Sequence, residues 1–425
     1  MIKKSFLFLL LSLIASADIN INIESDSFDS TVEYDETQKL ITIKNPGNYI
    51  LAGLSDKTFK IMSSATLNFN LLEIHSKGKN PPLIIGSNCD VKIHLISSND
   101  LIDSDQNEKS GIIFMESGSK LTFSAEDDVD SYVVLSVFKN MAIYGEESTE
   151  LIMKNGYIMI NANPGSNVGG ISIGGNIIIN NGMISDDINP EKYPSIKAGD
   201  SITIKKGSIL VHMIEAGKNI NLGEMTQNAH SEDDDEDPEF GMFIDTLNEG
   251  IKADSITINS GMIEIFSNKD SINSNKDITI NGGNFLIFAG NSDTESQPFK
   301  TNGKTKISNS MIQALGTKCP ESEISTQQVS IAYSGNLKKD QKVEIYFQEE
   351  SIFELDERKY DYSYFFASIY MFTGQTKLQI KIDGKEVSSL SGYSCGSGGS
   401  TADEGENSGA KRSDYSFFLL LLILL

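Results

Sequence analysis

Between residues 150 and 316 the chain alternates apolar and polar positions over runs of four or five, then turns, then alternates again. Ile256-Thr-Ile-Asn-Ser-Gly261 returns as Ile278-Thr-Ile-Asn-Gly-Gly283, and each copy is followed by a second short apolar run, Met262-Ile-Glu-Ile-Phe and Phe285-Leu-Ile-Phe. Leu151 to Gly156, Ile177 to Gly182 and Ile202 to Gly207 are versions of the same unit, and Lys306 to Ser310 continues it with Ser at the Gly position. The glycines at 156, 182 and 207 are 26 and 25 residues apart, and those at 261 and 283 are 22 apart. A two-residue alternation rich in Ile and bounded by Asn, Gly and Asp is strand chemistry. A period in the twenties marks a solenoid, in which each unit buries its inner side only against its neighbours.

Leucine-rich repeats share that period but need regular Leu on a strand-plus-helix unit, whereas Ile on short strands dominates here. The expectation is an all-β parallel β-helix over residues 65–316, roughly ten rungs stacked about 4.8 Å apart in a rod of order 50 Å. Residues 18–64 are expected to form an N-terminal β cap, with Leu40 to Gly53 read as a strand, a Pro-Gly turn and a second strand folded into a hairpin. Past residue 316 the Asn/Gly rhythm stops. Residues 317–390, with Val-Glu-Ile-Tyr-Phe, Ser-Ile-Tyr-Met-Phe, Leu-Gln-Ile-Lys-Ile and an Asp383-Gly384 turn signal, predict a small antiparallel β unit over the other end.

The ends read differently. Residues 1–17 have Lys3 and Lys4, an apolar stretch from Phe6 to Ile14 and Ala15-Ser16-Ala17, the order of a eukaryotic-type secretory signal peptide. Gly, Ser and acidic residues over 391–407 predict a flexible stalk. Small residues at 407–409, a polar spacer and the apolar run Phe417 to Leu425 follow the pattern of a lipid-anchor (GPI) attachment signal over 408–425, with Asn407 as the attachment residue. That run is about half the length needed to span a bilayer. The expected location is the outer face of the plasma membrane, with contact to the membrane through the lipid alone.

Charge narrows the partners. The formal net charge of −24 excludes nucleic acid and anionic lipid as natural ligands and would repel an acidic glycan unless a divalent cation stood between them. Three cysteines, Cys89, Cys319 and Cys395, leave one over; Cys319 with Cys395 is the expected disulfide, and Cys89 a buried thiol.

ITIKNPGNYILAG at 41–53, NEGIKADSITINSG and LKKDQKVEIYF followed by LQIKIDGKEV resemble, in order, the calcium-containing, acidic-polysaccharide-binding β-helix family, mostly bacterial. Its members are also described as carbohydrate-binding domain-containing proteins. The resemblance covers about residues 18–390. It implies a right-handed, pectate-lyase-like coil that binds polygalacturonate-like or cellulosic glycans, with Ca²⁺ between acidic turns and no catalysis as a family trait. The family's Asp-Asp-Gly-Ile turn stands here as Asn248-Glu249-Gly250-Ile251 and Lys269-Asp270-Ser271-Ile272, one carboxylate short in each.

Candidate Ca²⁺ ligands are the turn carboxylates Glu249, Asp254, Asp270, Asp277 and Asp293, which stacking would bring into files; Asp and Asn also suit turns for backbone reasons alone. The acidic run 231–239 reads as a solvated loop beside them. Phe266, Phe285 and Phe288 are expected as core stacks, and Tyr360, Tyr362 and Tyr364 as packing residues or a sugar-binding strip. Lyase chemistry needs a base, usually Arg; Arg358 lies outside the coil and Arg412 in the expected anchor signal. None of the histidines sits in the Gly-His-Gly context of the hydrolases. The leading expectation is therefore a non-catalytic cell-surface protein that binds acidic or cellulosic polysaccharide through calcium. A structural or adhesion protein with a protein partner and a polysaccharide lyase are the alternatives.

Overall fold

The computed structural model describes residues 19–22, 32–104, 107–126, 131–162, 169–188, 193–224, 240–291, 293–347, 349–355, 358, 360–370, 378–389 and 393–395. The expected signal peptide, the acidic run 231–239, Asn407 and the apolar tail lie outside the described residues.

All described secondary structure is β, and the pairing is consistent with a β-solenoid. One turn of the coil shows how. Ile251–Ala253, Ser255–Ile258 and Met262–Ser267 follow one another along the chain but pair with Ile272–Ser274, Ile278–Ile280 and Gly283–Ala289 of the next turn, all in parallel. Each turn therefore contributes one strand to each of three faces, here called one, two and three in chain order. Face one is a 12-stranded sheet. Faces two and three belong to a 24-stranded sheet, joined where the long strand Ala65–His75 pairs with both Asp90–Leu95 and Ser98–Ile102.

The alternation seen in the sequence sets which side chains enter the coil. On face two, Ile177, Ile202, Ile220, Ile256 and Ile278 stack in register and all have no exposed surface. Burying each such side chain contributes about 1.5–3 kcal/mol, as an upper figure because the unfolded chain already hides part of it. β-branched Ile fits this column because its stiff side chain packs on a pleated surface at little entropic cost.

The corner glycines also stack. Gly182 and Gly207 have φ of +112° and +103°, and a Cβ on Gly207 would stand 2.0 Å from the Gly182 carbonyl oxygen. Positive φ and the close approach of the preceding turn both exclude a side chain there, so the glycine repeats with the coil.

The coil starts earlier than the sequence suggests. Leu40–Ile43 and Gly47–Ser55 do not fold on each other; they pair in parallel with Thr58–Ile61 and Ala65–His75 and so form a turn of the coil. The antiparallel hairpin lies one strand earlier, where Val32–Asp35 pairs with Leu40–Ile43. Pro46 and Gly47 make a corner between faces, which has the same local chemistry as a hairpin turn.

At the other end, Tyr362–Ile369 runs antiparallel between Ser310–Gly316 and Val329–Leu337, covering the last edge of face three. An open edge there would invite pairing with another chain. A four-stranded antiparallel sheet, including Leu378–Ile382 and Lys385–Val387, builds a second apolar cluster. Asp383 and Gly384, at φ of +50° and +74°, form the tight turn between those two strands. Cys319 bonds to Cys395, and Cys89 is a buried free thiol. The bridge fastens Tyr393, whose ring meets Phe366 edge-on at 5.8 Å.

Candidate functional site on face three

The five turn carboxylates do not converge. Glu249 and Asp270 occupy the corner between faces three and one on adjacent turns, where the Gly250 amide donates to the Asp270 carbonyl at 3.3 Å. Asp254 and Asp277 occupy the corner between faces one and two. Asp293 is exposed in the loop after Gly283–Ala289. Among the described residues no three His, Cys, Asp or Glu side chains gather closely enough to hold a metal.

Lysines answer most of these charges. Buried Asp270 accepts from the Gln297 amide and from Lys300 Nζ, each at 2.8 Å. Asp277 accepts from the Lys304 amide at 2.9 Å and Lys306 Nζ at 2.6 Å, which hold its carboxyl below the ordinary range, the lysine bond contributing most. Lys276 stands 3.9 Å from Asp254, and Asn275 donates to the same carboxylate at 2.7 Å. The same relation recurs in Lys120–Glu150 and Lys218–Asp200, at 2.7 and 2.6 Å. Where acidic turns could have faced a shared cation, an ammonium from a neighbouring turn or from the same corner stands beside several of them.

The outer surface of face three carries rings. Of the three phenylalanines expected in the core, only Phe285 points inward. Phe266 and Phe288 point out, because Ile265 and Ile287 beside them on their strands claim the interior. Their rings stack with centroids 5.0 Å apart and planes 10° from parallel. Phe243 extends the row towards earlier turns at 5.8 Å, and Tyr362 extends it the other way at 5.9 Å. Phe243 is 41% exposed, and Leu210, its register partner one turn earlier, 44%. Tyr132 and Tyr157 form a further ring pair on the same face, 6.4 Å apart.

The row leads into a cleft of about 620 Å³ between the last turns of the coil and the C-terminal unit. Asn291, Asp293, Glu295, Asn336, Tyr360 and Tyr362 are among the residues that line it. Tyr362 and Tyr364 are both buried, so the three alternating tyrosines do not form an exposed strip. Burial raises the Tyr362 phenol, which stays neutral and able to donate.

Earlier on this face sits an acidic group the sequence did not single out. Asp186 takes a register position opposite the fully buried Ile160, and its side chain has no exposure. Its Oδ1 lies 2.6 Å from His212 Nδ1, and its Oδ2 has no hydrogen-bond partner. That bond raises the His212 pKa against the opposing effect of burial, with Asp245 and Asp187 adding to it. A charged residue at a position where the alternation calls for an apolar one was the available sequence signal.

Arg358, by contrast, is buried in the C-terminal unit and donates to the carbonyls of Leu355 and Lys338. Its guanidinium is committed to holding loops.

A family model described as carbohydrate-binding domain-containing protein matches residues 37–295. No curated protein and no solved structure matches the chain. The matched stretch contains Phe243, Phe266 and Phe288 and the coil side of the cleft; Tyr360 and Tyr362 lie beyond it.

Proposed function

This chain belongs to the carbohydrate-binding domain-containing family, and from that premise we propose that it binds a polysaccharide laid along face three, without cleaving it. The observation that carries the reading is the outward stack of Phe266 on Phe288, continued towards earlier turns by the exposed Phe243 and closed at its other end by the buried Tyr362. The outer edges of the stacked rings, with the exposed Phe243, make an apolar strip of low entropic cost against which the apolar C–H faces of sugar rings can pack. Strands held in register repeat these rings at the spacing of the coil, which suits an extended chain. The polar cleft beside Tyr362 supplies amide, hydroxyl and carboxylate groups for sugar hydroxyls at one end.

Such a surface takes a cellulosic backbone by the faces of its sugars, with no metal ion between them. An acidic backbone needs calcium as a bridge in the field of a chain this negative, and Asp293 and Glu295 are carboxylates in the cleft wall that could take part in holding it.

A glycan array probed with and without chelator tests both parts. Binding to β-linked neutral glycans that survives chelator, and falls in Phe266→Ala, supports the reading. Binding confined to uronate glycans and abolished by chelator assigns the calcium bridge instead. Silence on every glycan overturns the proposal and favours a protein partner, and release of unsaturated ends from polygalacturonate would make the chain a lyase.

A further inference from the structure

Beside the row of rings stands a carboxylate that none of the described residues answers. Glu264 points outward from Met262–Ser267, between Ile263 and Ile265, which have no exposed surface. Its register partners are Phe243 on the preceding turn and Leu286 on the following one. Two residues along its own strand is Phe266, and its diagonal neighbour on the preceding turn is Asp245. No Lys, Arg or His faces it from either adjoining strand, and no ion pair or hydrogen bond to its carboxylate occurs among the described residues. Burial against its apolar neighbours pushes its carboxyl up.

Elsewhere in the coil Asp270, Asp277, Glu150 and Asp200 each meet a lysine. A half-buried carboxylate among rings costs free energy when left unpaired. Asp245 beside it also lacks a lysine; the charged group in its column is His212, which Asp186 already holds. Even with His212 protonated, Asp186, Asp187, Asp245 and Glu264 leave this stretch of face three negative.

Resting on the reading of face three as the glycan-binding surface, we propose that its ligand is an amino-sugar polymer with free amines, one ammonium of which pairs with Glu264 while the sugar rings pack against Phe243 and Phe266. The rings recognise the faces of the pyranose and the carboxylate recognises its charge. Asp245 raises the local concentration of cationic ligand. A polycation also resolves the conflict between a chain of net charge −24 and an acidic glycan, with no metal required.

The test compares a β-linked glucosamine hexamer in fully deacetylated and fully N-acetylated forms, by calorimetry, at a pH where the free amines are protonated. The deacetylated hexamer should bind about tenfold or more tightly, the scale of one charge-assisted hydrogen bond. Its advantage should shrink with added salt. In Glu264→Gln, which keeps size and shape, the preference should vanish, and in Glu264→Lys it should invert. Thermal unfolding of each variant within a few degrees of the parent shows that the fold is kept. Equal binding of the two hexamers, or a preference untouched by Glu264→Gln, overturns the proposal. Binding of neutral glucan without any amine preference overturns it while leaving the stacking surface intact, whereas silence on neutral and amino glycans alike removes both.

Discussion

Phe266 and Phe288 occupy the same outward column of face three on successive turns, their rings 5.0 Å apart and within 10° of parallel. The separation is close to the spacing of paired strands, so the register of the sheet imposes the stack. Identical side chains one turn apart have little choice but to lie over one another. A surface made this way is rigid before any ligand arrives, which lowers the entropic cost of binding.

Phe266→Ala should therefore weaken glycan binding by about tenfold or more while costing the fold only about 1 kcal/mol, the scale of an aromatic pair. Phe285→Ala, on the neighbouring strand but facing inward, should do the reverse. It removes a ring that is 4% exposed, at about 3–5 kcal/mol. Glycan pull-down and urea denaturation of the two variants separate the effects. Equal stability losses would mean that Phe266 belongs to the core after all.

These two positions also show how far the sequence could be read. Alternation gave the strands, and it gave the parity within each strand. Which parity faces inward follows only when an anchor is taken, and Ile287 is that anchor: it puts Phe285 inside and Phe288 outside. The carboxylates were harder. Asp270 and Asp277 meet Lys300 and Lys306, which are 30 and 29 residues further on. Such partners emerge only when the exact register across a variable corner is known. Turn composition alone could not tell a metal file from an ion-pair file. The 40–53 segment failed for a third reason. A corner between faces and a hairpin turn use the same residues, and only the next turn of chain shows which is formed.

The ion pairs differ in worth despite their common pattern. Asp270 is 7% exposed and accepts a backbone amide as well as Lys300. Asp270→Ala strands that amide and should cost about 2–3 kcal/mol. Asp277 also accepts an amide, from Lys304, but that bond is exposed and water can replace it. With Asp277 and Lys306 half exposed, Asp277→Ala should cost about 0.2–1 kcal/mol and less in high salt. Denaturation midpoints at low and high salt check the order. A larger loss at Asp277 would point to something other than lysine bound there.

Gly207 and Gly384 both have positive φ, at +103° and +74°, yet only Gly207 has a neighbouring carbonyl where a Cβ would go. Gly384→Ala should cost about 1–2 kcal/mol, the price of left-handed backbone alone. Gly207→Ala adds the clash with Gly182 and should cost more than that, by forcing two turns of the coil apart. The difference in urea midpoint between the variants measures how closely the turns are stacked. Equal losses would remove close approach as the reason for the glycine column.

His212 gives the coil a pH dependence of definite sign. Its pKa is raised above the ordinary 6.5 by the bond to Asp186, so the protonated imidazole is favoured in the folded state. The stability it contributes is fully present below the unfolded value and is lost as pH rises through the raised folded value. Stability should thus decline on the alkaline side of 6.5, beyond what the rest of the chain produces. Asp186→Asn removes the largest cause of the shift. In that variant the His212 ring resonances should titrate at lower pH, and the alkaline decline in urea midpoint should flatten. A His212 titration that does not move in Asp186→Asn would mean that Asp187 and Asp245, which face it from the two adjoining turns, hold its proton instead.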